Sequence, residues 1–376
     1  MKRVRLFAAM LSIAILAGAR AAEPVIKSAE HDFRVAVVTR GLEHPWGLAF
    51  LPDGRMLVTE RPGRLRLVEA DGALDPRPVA GLPPIAAHGQ GGLLDVALHP
   101  RFAENGWVYL SYAARGPGGV GTEVARGRWA EHRLENVEVL FRQEPKSGGG
   151  RHFGSRLVFD REGYLYVTLG DRGEMERAQH LDDLAGKIVR LHDDGRIPQD
   201  NPFVNQAGVR PEIYSLGNRN VQGATLHPAT GELWTHEHGP QGGDEVNVIR
   251  AGRNYGWPVI TYGVEYGIGT KIGEGTHKPG MEQPLHVWTP SIAPSGMAFY
   301  QGDRFPRWRG DLFVGALRDQ MVTRLRLDGE KVIGEERLLE GMLGRIRDVR
   351  AGPDGYLYLL TDARNGAIAR LEPAMR

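Results

Sequence analysis

One pattern recurs six times along the chain: a turn glycine followed by a short run of apolar and aromatic residues. It appears as LPDGRMLVTE (51–60), AENGWVYLSYA (103–113), DREGYLYVTLGD (160–171), PATGELWTHEHG (228–239), RWRGDLFVGAL (307–317) and GPDGYLYLLTD (352–362). The glycines, Gly54, Gly106, Gly163, Gly231, Gly310 and Gly355, are spaced 45 to 79 residues apart. A further strand-like run precedes most copies, as in WGLAF, LLDVALHP, GATLHP and IRDVRAGP, while amphipathic helical patterns are nearly absent. A hairpin of this kind cannot bury both faces alone, so repeated units must pack on one another. Six at this spacing predict an all-β chain folded as a six-bladed β-propeller, each blade a small antiparallel sheet around a central channel. A β-sandwich is the alternative, and six self-similar copies argue against it. The wider fourth and fifth intervals leave room for loops, notably the Gly- and Tyr-rich stretch 254–280.

Repeats place equivalent positions on one face of the ring. Roughly eleven residues before each turn glycine lies the start of the preceding strand. Those places read His44-Pro45-Trp46, His152, Arg219-Asn220 and Arg345-Ile346-Arg347, with Gln90 and Ser295 opening the two strands whose following loop is longer. These groups are expected to converge at one mouth of the channel. Within the third hairpin, a turn centred between residues 161 and 162 makes pairs summing to 323 face each other, which sets His152 opposite Asp171. A histidine held by a carboxylate is a general-base arrangement, because the acid fixes the tautomer and stabilises the imidazolium; it is also an ordinary structural pair. Arg219, Arg318, Arg345 and Arg347 add up to four guanidinium groups around that mouth, suited to a ligand with several carboxylates or phosphates.

HEHGPQGGDEVN (236–247) ends the fourth hairpin. Its glycines and proline expose carbonyls, and Asp244, Glu245 and Asn247 add oxygen donors, which is hard-cation chemistry or a tight loop capped by Asp244. GPGGVG (116–121) matches a dinucleotide fingerprint only formally, since a strand rather than a helix follows it. MKRVR, a 14-residue apolar run and Ala19-Arg20-Ala21 read as an export signal over residues 1–22, leaving residues 23–376 as a single propeller domain of a periplasmic protein without a membrane anchor. With no cysteine there is no disulfide framework, and a net charge of +1 gives no reason to expect nucleic acid.

Taken together, GLEHPWGLAFLPDGRMLVTERPGRL, GQGGLLDVALHP, GNRN, HGPQGGDEVN, GRNYGWP and RIRDVRAGPDGYLYLLTD resemble the soluble quinoprotein glucose/sorbosone dehydrogenases, and within them the periplasmic aldose sugar dehydrogenases that use pyrroloquinoline quinone (PQQ). The resemblance covers nearly all of the chain after its leader. It implies the same six-bladed propeller, with His152 as the base for the sugar C1 hydroxyl and Asp171 as the acid orienting it. It also implies PQQ held by Gln90, Arg219, Asn220, Arg345 and Arg347. Calcium would lie on the Gly239 and Pro240 carbonyls, supported by Asp244. Arg318 stands where the family's glucose dehydrogenases carry lysine, and His238 where they carry glutamine. The implied reaction oxidises an aldose to its lactone and passes electrons to an external acceptor; shorter loops favour a monomer with broad aldose specificity. Two other readings stay open: a calcium-dependent lactone hydrolase, which needs no quinone, and a non-catalytic binding propeller.

Overall fold

The computed structural model describes residues 24–374; the expected export signal lies outside them. Six small antiparallel sheets form a ring, five of four strands and one of three. The first strands of the sheets are Pro45–Phe50, Leu93–Leu98, Leu157–Phe159, Val221–Leu226, Pro294–Phe299 and Ile346–Ala351, and each packs against those of its two neighbours. They therefore line the centre of a six-bladed β-propeller. All six repeat glycines fall between the first and second strands of their blades, with φ between 66° and 89°. That left-handed conformation costs a side chain energy and glycine almost none, which explains the recurring residue.

Six separate apolar layers seal blade against blade. Between the first two blades, for example, Leu57, Leu65 and Leu67 meet Val96, Val108 and Leu110, all nearly or fully buried. The ring closes through the earliest strand, Phe33–Leu42, which pairs antiparallel with the last, Gly366–Pro373. Deep in the centre, Arg156 spans Asp95 and Asp348 at 3.2 Å each, and Arg350 bonds the same two acids at 2.7 Å. Among the described residues the only helices are one four-residue α turn and two short 3₁₀ turns. The largest departure from the blade pattern is the stretch 250–285, between the strands Asp244–Ile249 and His286–Trp288.

The third hairpin differs in register from the sequence expectation. Leu165 pairs with Phe159 and Val167 with Leu157, so partners sum to 324, and the ladder ends there. Beyond it the chain turns sharply, with positive φ at His152, Gly154 and Ser155. His152 and Asp171 still meet, but through this kinked segment.

Candidate active site

Of the strand starts, Trp46, Gln90, Asn220, Arg345 and Arg347 line a cup of about 250 Å³ at one mouth of the channel, whereas His44, His152, Arg219 and Ser295 are not in its lining. Its polar lining includes Arg61, Gln90, Asn220, Gln222, Arg345 and Arg347; Trp46, Leu94 and Phe153 supply apolar surface. His152 lies in the same network. Its backbone N–H donates to Gln90 Oε1 at 2.8 Å, and the Gly154 N–H donates to Asn220 Oδ1 at 3.1 Å. Gly170 is required beside it, because a Cβ there would lie 2.0 Å from the His152 carbonyl oxygen. Arg172, stacked on Phe153, donates to the carbonyls of Gly149 and Arg151 and so fixes the loop leading into the histidine.

His152 Nδ1 is 2.6 Å from Asp171 Oδ1, which also accepts the Gly173 N–H at 2.7 Å. Trp257 Nε1 donates to the other oxygen, Oδ2, at 2.8 Å. Burial alone would raise the Asp171 carboxyl, but the bonds from His152 and Gly173 hold it below the usual carboxylate range. Burial pushes His152 below its ordinary value, with Arg219 and Arg151 acting in the same direction and Asp171 opposing. The pair is thus a neutral imidazole beside an ionised carboxylate. An ionised carboxylate only accepts, so Nδ1 carries the proton and Nε2 keeps a free lone pair.

Of the four arginines, three belong to the cup or its edge. Arg347 is buried; it donates to Gln222 Oε1 and Asp362 Oδ2 at 3.0 Å each, and its Nε has no partner. Arg345 is half exposed and lies 3.5 Å from the same Asp362 oxygen. Arg219 turns its guanidinium onto the carbonyls of Gly239 at 2.7 Å and His238 at 3.2 Å, leaving its buried Nε unpaired. Arg318 is not among the residues lining the cup: 57% exposed, it donates to the Ser291 carbonyl and Asp319.

In the expected cation loop Asp244 takes the supporting place, whereas Glu245 pairs elsewhere. Asp244 is saturated, its carboxylate accepting the N–H groups of Gly239, Ile292 and Ala293 and the Ser291 hydroxyl. It shapes the loop rather than offering a free oxygen, and Arg219 already holds the Gly239 carbonyl. Glu245 lies away from this loop, opposite Glu237 on the adjoining strand. Burial, and then the facing carboxylate, pushes Glu245 above the usual carboxylate range, and burial does the same to Glu237.

Several participants carried no role from the sequence, Arg61 and Gln222 in the lining among them. Asp362 joins Arg345, Arg347 and His44, the last at 2.8 Å. His238 bonds the Pro294 carbonyl at 2.5 Å and is pushed to about 3, chiefly by burial. Trp257 reaches the site from the insertion. A signal for Asp362 was present: Glu60, Asp171, Glu237 and Asp362 all stand six to eight residues after their repeat glycines, where the second strand of a blade ends at the mouth.

Comparison with known proteins gives this architecture a lineage. Residues 42–370 match the family model "Glucose / Sorbosone dehydrogenase". The chain is 49% identical to aldose sugar dehydrogenase YliI of Escherichia coli (strain K12), over 90% of this chain and 92% of that protein. A crystal structure of a glucose dehydrogenase superposes with a TM-score of 0.88 at 53% identity, over 90% of this chain and 99% of the other. The PQQ-bound aldose sugar dehydrogenase from Streptomyces coelicolor superposes with a TM-score of 0.75 at 30% identity, covering 93% and 99%. Six blades, a shared mouth and a match across most of the chain agree: the protein belongs to the glucose/sorbosone dehydrogenase family.

Proposed function

We propose that this chain is a PQQ-dependent aldose sugar dehydrogenase that oxidises the C1 hydroxyl of an aldose to the lactone and passes electrons to an external acceptor. The observation that carries this reading is a neutral histidine, held by a carboxylate, in one network with a cup lined by the half-exposed Arg345 and the buried Arg347. The cup fits a compact, planar tricarboxylate: Arg345 and Arg347 line it, Arg219 stands close by, and the buried Nε atoms of Arg219 and Arg347 lack partners. Gln90 and Asn220 add polar groups to the lining, and Trp46 and Phe153 offer aromatic surface. For calcium, the expected set of Gly239, Pro240, Asp244 and Glu245 divides in two. Gly239 and Pro240 would offer carbonyls once Arg219 turns toward an anionic ligand, with Asp244 bracing their loop. Glu245 with Glu237 forms a separate oxygen-rich pair, flanked by the buried, unpartnered Oδ1 atoms of Asn218 and Asn247.

When bound, PQQ supplies a two-electron acceptor for the C1 hydride and calcium the Lewis acidity that polarises its carbonyl. The chain's own groups do the rest. His152 Nε2 takes the C1 hydroxyl proton, Asp171 steadies the imidazolium that forms, and the arginines fix the anionic ligand in register with the base. No described helix is long and apolar enough to cross a membrane. With the leader read over residues 1–22, we place the enzyme in the periplasm as a monomer.

The test is dye reduction by EDTA-treated protein with a panel of aldoses, with and without PQQ and Ca²⁺. Turnover only when both are present is expected. Lactone hydrolysis without any quinone, and silence with PQQ, would replace this reading with the hydrolase.

A further inference from the structure

The insertion at 250–285 contributes a side chain to the base. Trp257 is buried, and its indole N–H takes Asp171 Oδ2, the one carboxylate oxygen that His152 leaves free. Its placement is fixed from four sides. The Trp257 backbone N–H donates to the Gly217 carbonyl at 2.9 Å, and its carbonyl accepts Gln179 Nε2 at 2.7 Å. Gln179 and Asn254 clasp each other through both amide ends, at 2.7 and 3.1 Å. The ring packs on Ala178 and Ile272, and the Arg219 guanidinium lies 5.3 Å from its centroid.

We infer that Trp257 is a positioning residue for the general base. It holds Asp171 so that Oδ1 faces His152, and its N–H sets how strongly that carboxylate pulls on the imidazole proton. This deepens the dehydrogenase reading above and rests on it for its kinetic test. A hydrogen bond to the ionised form stabilises the carboxylate, so removing it makes Asp171 more basic and favours the imidazolium of His152. The other charged or titratable groups facing the pair are Arg219, Arg151, Arg172 and His238, and a phenylalanine keeps a six-membered aromatic ring beside them while the indole N–H goes with its five-membered ring.

The test is Trp257→Phe in the full chain. The acid limb of kcat/KM against pH moves up, by about one unit for a lost hydrogen bond of ordinary strength. Also expected are a fall in kcat of about tenfold and a Kd for PQQ within about twofold of the parent, one tenfold step being 1.4 kcal/mol. An unchanged pH profile, or weaker PQQ binding with the profile intact, would overturn the inference and assign the tryptophan to Arg219 or to packing alone. A second measurement needs no turnover. In ¹⁵N-tryptophan protein, the indole N–H resonance missing from Trp257→Phe should shift in both Asp171→Asn and His152→Gln; indifference to both sinks the inference. Wild-type protein that oxidises no aldose would overturn the dehydrogenase reading while the indole resonance still reports the Trp257–Asp171–His152 coupling.

Discussion

Asp171 accepts three hydrogen bonds, from imidazole, indole and backbone, and each constrains how it holds His152. His152→Ala is expected to lower kcat about 10²- to 10⁴-fold, the range for a lost general base, with PQQ still bound; dye reduction and a binding titration check it. Because His152 lies below 6.5 and acts as a base only when neutral, the acid limb of kcat/KM should fall below pH 6.5. Half-maximal activity at or above that pH would contradict the assignment. Stability follows the same sign. His152, His236 and His238 are all depressed in the folded chain, so the unfolded chain binds more protons at acidic pH. Their contribution is present above 6.5 and lost as pH falls toward 3, which denaturant titrations at several pH values would follow. At this scale the sequence shows the residues better than their directions. Nothing in the string says that Arg318 is exposed, and a loop capped by Asp244 could be read there but not the three donors at Ser291, Ile292 and Ala293, which a distant loop brings in.

The hairpin repeat was legible because a short-range rule governs it: turn, glycine, apolar strand. The register of the third hairpin was not. Its turn occupies one residue more than an even split of the loop suggests, and the kink at His152 to Ser155 then moves the histidine off the ladder. Two glycines of this hairpin separate the consequences. Gly163→Ala meets no neighbouring atom but forces alanine into φ +88°, so it should cost about 1–2 kcal/mol by denaturant unfolding while activity stays within twofold. Gly170→Ala places its methyl against the His152 carbonyl. Displacing the base by a fraction of an ångström should cost activity more than tenfold. Equal losses of activity in both variants would contradict the separation. The insertion at 250–285 was recognisable as a loop from its composition, yet its function was not, because Trp257 meets Asp171 across 86 residues of sequence.

Across the whole molecule, six blades leave a channel, and Arg156, Arg350, Asp95 and Asp348 fill it with a buried ion network. Removing one member of such a network leaves a charge without its partner in a dry interior. Asp348→Ala should therefore destabilise the chain by about 3–5 kcal/mol, measured by urea unfolding, with a weaker effect on sugar specificity. The count of blades follows from the repeat; the plug does not, because the sequence carries Asp95, Arg156 and Asp348 more than sixty residues apart. Ring closure rests on the pairing of the first strand with the last. His44 stands just after that first strand and fastens to Asp362, the same acid that steadies Arg345 and Arg347. The anion cup therefore straddles the joint between the two ends of the chain. A ligand that touches Trp46 on one side of the joint and both arginines on the other acts there as a clasp on the circle, so the loaded protein should resist trimming from its N-terminal end by proteases that readily open the empty one.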